Sequence, residues 1–250
     1  MKKVLNNLSV VIMAAGKGTR MNSNIPKVLY SLAGKTLLNH VIDTAQSLYP
    51  RYTVIIIGYK SDLVKKSINK NNIYFSSQNK QKGTGHAVMQ CEEHLKNFKG
   101  QTLVLSGDVP LIKQRTLLSL FEKQINNNFD ACMLTADMND PSGYGRIIRD
   151  ENGDLKEVKE DKDCNDKELQ IKEINSGIYI FDNQLLFDLL PKLDNSNAQS
   201  EYYLPDILSM IIKDKGKIGL EKIANIIEIQ GVNTTEQLLY LEKKYEKYVL

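Results

Sequence analysis

Apolar residues fall in short unbroken runs through the first half of the chain. Ser9–Ala14, Thr53–Gly58, Ile73–Ser77 and Thr102–Ser106 are rich in Val and Ile, as strands buried on both faces are. Between them the period changes. Leu37, Leu38, Val41, Ile42, Ala45 and Leu48 recur at helical spacing, as do Ala87, Val88, Cys91 and Leu95 behind Thr84, read as an N-cap. Strand–helix alternation of this kind predicts a parallel sheet with helices on both faces. The second half mixes strands (Ala131–Ala136, Gly145–Ile148, Leu155–Lys159, Ile174–Phe181) with helices (Leu185–Leu190, Tyr203–Lys213, Thr235–Tyr248). Thr234 and Gln237 form a capping-box pattern before the last helix. The acidic run Glu157–Asp166 reads as a solvated loop, and His40 and His94 as lying on helix flanks.

Composition narrows the function classes. The 250 residues are 42% hydrophobic and 25% charged, enough for an ordinary globular core, and a net charge of +3 gives no case for nucleic-acid binding. The three cysteines, Cys91, Cys132 and Cys164, are scattered and form no CxxC, which suits a reducing compartment and argues against zinc. Asn6 and Asn7 interrupt the N-terminal apolar run, and no stretch approaches the ~18 apolar residues of a membrane span. A cytoplasmic protein without nucleic-acid or membrane partners is expected.

The first strand leads into "AAGKGTRM" and then "IPKVL". Two phosphate motifs fail here. The "GKT" at Gly34–Thr36 has Leu29 where a P-loop needs glycine. Gly16 and Gly18 begin a GxGxxG, but Met21 takes the third glycine's place. What remains is a turn of small residues, Ala14, Ala15 and Gly16, that a ligand can approach closely. Its N–H groups, with Arg20 and Lys27, can surround a polyphosphate, and Pro26 restrains the backbone beside Lys27. A second strand ends in "SGDVPL", putting the Asp108 carboxylate at a strand's C-terminal end, facing the same crevice. Such an oxygen suits Mg²⁺, which prefers few protein ligands and substrate phosphates.

Together with "QNKQKGTGHA", "DPSGYGRIIR", "EINSGIYIF", "NAQSEYYLPDI" and "GVN", these segments resemble, in order and spacing, a known family. It is the sugar-1-phosphate nucleotidyltransferases, and within them the uridyltransferase domain of the bacterial bifunctional N-acetylglucosamine-1-phosphate uridyltransferase/glucosamine-1-phosphate acetyltransferase. The resemblance implies a Rossmann-like α/β/α three-layer sandwich with a mixed, mostly parallel sheet. It implies that UTP and N-acetylglucosamine 1-phosphate give UDP-N-acetylglucosamine and pyrophosphate with Mg²⁺, in the service of peptidoglycan and cell-wall synthesis.

Roles carry over by motif. Met13, Ala14, Ala15 and Gly16 match the nucleotide loop, and Arg20 and Lys27 the catalytic cations that hold the phosphates. Gln78, Gly83 and Thr84 match the uracil-reading segment. Ser106 and Gly107 match substrate-binding positions, as do Lys27 and Asn233, and Asp108 with Asn233 matches the metal ligands. Gly145, Glu160 and Asn175 match the sugar site, making Glu160 the exception within the acidic run. Ser106 stands where many relatives have Tyr, Ser200 where Gly is usual, and "LPD" replaces a frequent Thr-Asp ending.

Residues 1–233 are then the nucleotidyltransferase domain and 234–250 a C-terminal helix with Leu238, Leu241, Tyr245 and Val249 on one packed stripe. The family's hexapeptide-repeat β-helix is not in the sequence, so the expectation is a monomer or weak dimer without acetyl transfer. The alternatives are a transferase for another acceptor (glucose 1-phosphate, methylerythritol phosphate or a molybdopterin) and a non-catalytic nucleotide-sugar-binding subunit. Asp108, Lys27 and Asn233 all being present argues against the last.

Overall fold

The computed structural model describes residues 7–18 and 24–249, with side chains described through residue 245. Arg20 therefore lies outside the described residues, as does the Val249 side chain.

Among the described residues, nine strands form one sheet. Its spine runs β5 (Ile73–Ser77), β4 (Tyr52–Ile57), β1 (Leu8–Ala14), β6 (Gln101–Ser106), β10 (Glu173–Asp182), β7 (Ala131–Asp137) and β11 (Ile218–Lys222). All neighbours along the spine are parallel except β10, which is antiparallel to both β6 and β7. A hairpin of β8 (Arg146–Arg149) and β9 (Leu155–Lys159) hangs from β10. A separate two-stranded ribbon joins β2 (Ser31–Leu32) to β3 (Lys35–Thr36).

The unbroken apolar runs serve two cores at once. In β1, Val10, Ile12 and Ala14 enter one core while Val11 enters the other; Ile55 and Ile57 of β4 oppose Val54 and Ile56 in the same way. The first core packs the helices Leu37–Gln46 and Gln114–Asn127, the second the helices Asn183–Leu189 and Asp206–Lys213. This is the expected three-layer sandwich. A third cluster joins Leu32, Leu37, Leu111 and Val232 to Leu238 and Leu241 of the last helix, Thr235–Val249, with Tyr245 packed against it. That helix opens on the expected box: the Gln237 N–H donates to Thr234 Oγ1, and Gln237 Oε1 accepts from Thr234 N–H and Asn233 N–H. The seam and the box together fix residues 231–233.

Several expectations change. The stretch read as one helix from Thr84 is two short ones, Thr84–Met89 and Glu92–Leu95, because the Cys91 N–H turns back to Val88 O and tightens the chain. Thr84 is not the N-cap. Gly83 is, and the Thr84 hydroxyl instead accepts from Leu204 N–H at 3.0 Å. Tyr203–Lys213 starts its helix only at Asp206, after Pro205. The acidic run is not one loop: β9 runs into it, and a short helix, Asp166–Leu169, closes it behind an Asn165–Glu168 capping box. His40 is buried on its helix rather than at its flank, with Nε2 2.8 Å from Leu32 O. The helices Ser61–Lys66 and Gln114–Asn127, and strand β11, were not anticipated.

Candidate active site

The sheet reverses its winding between β1 and β6. β4 and β5 lie to one side of β1, and the chain then returns to its other side. In open α/β sheets, ligands bind beyond the carboxyl ends of the strands at such a point. Two cavities lie there. One, of about 270 Å³, is lined by Met13, Ala14, Ala15, Gly16, Lys27, Gln78, Gly83, Thr84, Ser106 and Asp108, among others. The second, of about 190 Å³, contains Gly145, Glu160 and Asn175. Met13, Thr84 and Ser106 form walls of both. Gln78, Gly83, Lys27 and Asp108 thus share one cavity and Gly145, Glu160 and Asn175 the other, while Gly107 and Asn233 line neither.

Lys27 joins three distant segments. Its Nζ donates to Asp108 Oδ2, at the end of β6, and to Asn233 Oδ1 at 2.6 Å. The backbone behind it is fixed. Pro26 opens the 3₁₀ turn Lys27–Leu29, Val28 is buried, and Gly18, at φ +65°, packs so closely that a Cβ there would lie 2.5 Å from Lys27 Cβ. Glycine at 18 is thus required twice, for its backbone angle and for its size. Gly107 lies between β1 and its neighbours: its N–H donates to Met13 O at 2.9 Å, and an added Cβ would be 3.2 Å from Leu38 Cδ1. Val232 N–H donates to Asp108 O at 3.0 Å, tying the 231–233 segment to the aspartate.

The segment from Gln78 to Thr84 is clamped from behind. Gln78, buried at the end of β5, donates from Nε2 to Gly83 O at 3.0 Å and faces His86 Nδ1 at 3.1 Å. Burial and the nearby Lys82 hold His86 below its ordinary pKa, which suits an acceptor Nδ1. Gly85 N–H donates to Tyr202 O, and Tyr202 N–H to Lys82 O, both at 2.8 Å. Gly83 has φ +101°, and a Cβ there would sit 2.5 Å from Tyr202 O. Gly83→Ala is therefore expected to lose about 2 kcal/mol or more of stability. A melting temperature within a degree or so of the parent's would contradict that clamp.

In the second cavity, Asn175 is buried at a bulge in β10, where Gly177 takes φ +74°. Bulges re-aim side chains beside functional sites. Asn175 Oδ1 accepts from Gly177 N–H and from the Tyr179 hydroxyl, each at 2.9 Å. Glu160 lies opposite: a Cβ on Gly145 would be 3.3 Å from Glu160 Oε1 and 3.4 Å from Asn175 Cβ. Burial, then the charges of Asp206, Asp163, Asp161 and Glu201, push Glu160 up to about 7. Burial and its acidic neighbours push Asp206 up to about 6.

Both carboxyls are thus easier to ionise in the unfolded chain than in the folded one. Their contribution is complete below the unfolded values, near pH 4, and is lost as pH rises through about 6 to 7. Glu160→Gln is expected to melt higher than the parent at about pH 8, with the gap closing toward about pH 4. Melting curves across that range check the sign. A constant gap would remove Glu160 as its cause.

Sequence reasoning did not single out four residues placed here. Gln81 Nε2 donates to Ala15 O at 3.1 Å, and Glu201 lines the first cavity. Tyr144 lines the second, its hydroxyl raised above the ordinary range by burial and by Asp108. Arg146, 2% exposed, donates to Tyr144 O and pairs with Asp161 at 3.0 Å, propping both the Tyr144–Gly145 turn and the residue after Glu160. "YGRI" was the available signal, but only its glycine was assigned a role.

A Nucleotidyl transferase family model matches residues 9–221. The chain belongs to this family. Among its members, the chain is 46% identical over 239 residues to the bifunctional protein GlmU of Staphylococcus saprophyticus, covering 96% of this chain and 53% of that protein. It is 45% identical to the bifunctional protein GlmU of Streptococcus mutans, covering 93% and 50%. The chain therefore spans about half the length of the curated nucleotidyl transferase relatives it matches. The fold is also that of a solved UDP-glucose pyrophosphorylase complexed with UDP-glucose, with a TM-score of 0.76, 18% identity, and coverage of 96% and 98%. The resemblance read from the motifs is borne out at the level of the family, as is the fold. No helix among the described residues is long and apolar enough to cross a membrane.

Proposed function

We propose that the chain transfers the uridylyl group of UTP to N-acetylglucosamine 1-phosphate, giving UDP-N-acetylglucosamine and pyrophosphate, with Mg²⁺. The observation that carries this is the pair of cavities sharing a wall at the ends of β1 and β6, with Lys27 and Asp108 lining one of them. Two substrates bound there would meet across Met13, Thr84 and Ser106. The motif resemblance and the similarity to the GlmU proteins support the choice of substrates.

Each residue then has a chemical task. Gln78's amide hydrogens are turned toward Gly83 O and His86, so its oxygen is the atom that can accept from the ring N–H of uracil. Glu160 and Asn175 orient the sugar, which sets a phosphate oxygen of the acceptor in line with the α-phosphorus of UTP. That oxygen forms the new P–O bond as the bond to pyrophosphate breaks. Lys27 and Arg20 hold the departing negative charge. The attacking phosphate is already ionised near neutral pH, so no general base is needed. Positioning and charge stabilisation supply most of the barrier reduction in such transfers.

The residues present fit a divalent ion. Asp108 and Asn233 offer two hard oxygens converging on one cationic point, as their shared contact with Lys27 shows. One carboxylate and one amide leave room for the water and phosphate ligands that Mg²⁺ retains. When bound, the ion would neutralise charge on both reacting phosphates.

The test is pyrophosphate release from UTP and N-acetylglucosamine 1-phosphate, with and without Mg²⁺. Glucose 1-phosphate as acceptor and CTP as donor are the comparison arms. Turnover that requires both named substrates and the metal is expected. Preference for another acceptor would reassign the second cavity, and no turnover with any pair would overturn the reading.

A further inference from the structure

Lys27 lies where a divalent ion would have to go. Its ammonium is held by both oxygens of the pair proposed as metal ligands, Asp108 Oδ2 and Asn233 Oδ1. Two oxygens this close to a lysine ammonium cannot also bind a dication at full strength, since the two cations would lie within a few ångströms and repel. The contacts are alternatives.

The three partners differ in freedom. Asp108 is fixed by its strand end and by Val232 N–H on its carbonyl. Asn233 is fixed by Gln237, which accepts its backbone N–H at 2.6 Å. Lys27 is likewise held at its backbone, by Pro26 and by the Gly18 contact, but where Asp108 and Asn233 have short side chains it has a flexible four-carbon stem beyond Cβ. The lysine is therefore the member that can leave. On the proposed reading, a triphosphate bound in the cavity that Lys27 lines would offer it several anionic oxygens as alternative partners.

We propose that Lys27 is a placeholder cation, an inference that rests on the metal site proposed above. It holds Asp108 and Asn233 together and excludes a free divalent ion. A triphosphate draws its ammonium away and so opens the pair to the metal. The metal then enters with the nucleotide rather than before it. The lysine has two successive roles at one site, first in place of the ion and then on the phosphates.

The test reads metal binding, not turnover. Mn²⁺ is titrated without nucleotide into the parent chain, Lys27→Met and Lys27→Gln, followed by electron paramagnetic resonance of free Mn²⁺. Melting temperatures establish that each variant is folded, and the glutamine variant keeps the test readable if the methionine variant does not fold. Removal of the competing cation is expected to tighten Mn²⁺ roughly tenfold or more, and to enlarge the Mn²⁺-induced rise in melting temperature. Adding Asp108→Asn to the same variants should abolish the gain. Mn²⁺ affinity equal to the parent's, or a gain that survives Asp108→Asn, would overturn the placeholder role. The metal site itself is tested separately, by UTP calorimetry with and without Mg²⁺ on the parent and Asp108→Asn. If Asp108→Asn leaves the Mg²⁺ dependence of UTP binding unchanged, the underlying reading fails. If it removes that dependence while Lys27→Met gains no Mn²⁺ affinity, only the placeholder fails.

Discussion

Asp108→Asn is expected to fold normally and to lower turnover by ~10²-fold or more. The substitution keeps the size of the side chain and a carbonyl oxygen, so the strand end, the Gly107 contact and the Val232 hydrogen bond to Asp108 O stay available. What it removes is the charge. That charge is paired with Lys27 and is, on the proposed reading, the site's one carboxylate for the metal. Steady-state turnover at limiting and saturating Mg²⁺, with a melting curve as the folding control, checks the prediction. The loss should be greatest at limiting Mg²⁺. A folded variant with near-parental turnover at limiting metal would show that Asp108 does not hold the ion.

The parts of this fold that could be read from the sequence are those whose environment is uniform along the segment. β1, β4 and β6 are covered on both faces, so their central positions are apolar without a break and the run stands out whatever the period. β11 could not be read that way. It is an edge strand with one buried residue, Gly219, and its charged tail, Glu221–Lys222, sounds like loop. The helix Gln114–Asn127 does place Leu117, Leu120, Phe121 and Gln124 inward at helical spacing. It was hidden because its N-cap, Lys113, makes no side-chain cap and polar residues surround the stripe. The pairing of Thr84 with Leu204 crosses 120 positions, so local capping rules pointed to the wrong residue. Ser200 illustrates the opposite case. The family resemblance marked it as a departure from Gly, and the structure gives the reason for the usual glycine, since the backbone there has φ +53°.

The candidate site was legible residue by residue but not as an arrangement. Each motif announced a role, yet nothing local to residue 27 says that its ammonium reaches Asn233, 206 positions away. The same holds for Arg146. A charged residue between a glycine and two isoleucines looks like the exposed position of a strand. It is instead buried, because β8 hangs from the bulged strand β10 and turns that side chain toward Tyr144 O and Asp161. Long-range topology, not residue type, decided both.

Removal of the Glu160 side chain is expected to separate the two substrates. Glu160 belongs to the second cavity and is absent from the lining of the first. Its neighbours there are Gly145 and Asn175. Glu160→Ala should therefore leave UTP binding within about twofold, while kcat/KM for N-acetylglucosamine 1-phosphate falls ~10²-fold, as when a site loses a hydrogen-bonding group built for its ligand. Glu160→Gln should recover part of that loss, because an amide still offers both a donor and an acceptor. The recovery bears on protonation: a carboxyl raised to about 7 is mixed between acid and carboxylate near neutrality, and the amide mimics the acid. Better acceptor use by Glu160→Gln than by the parent at about pH 8, with the order reversed at about pH 6, would mean that the sugar is held by protonated Glu160, the glutamine merely approximating it where the parent has ionised. Calorimetry with UTP and initial rates against acceptor concentration measure the two arms. Equal losses in both would show that Glu160 supports the fold or the nucleotide, and would take the second cavity away from the sugar.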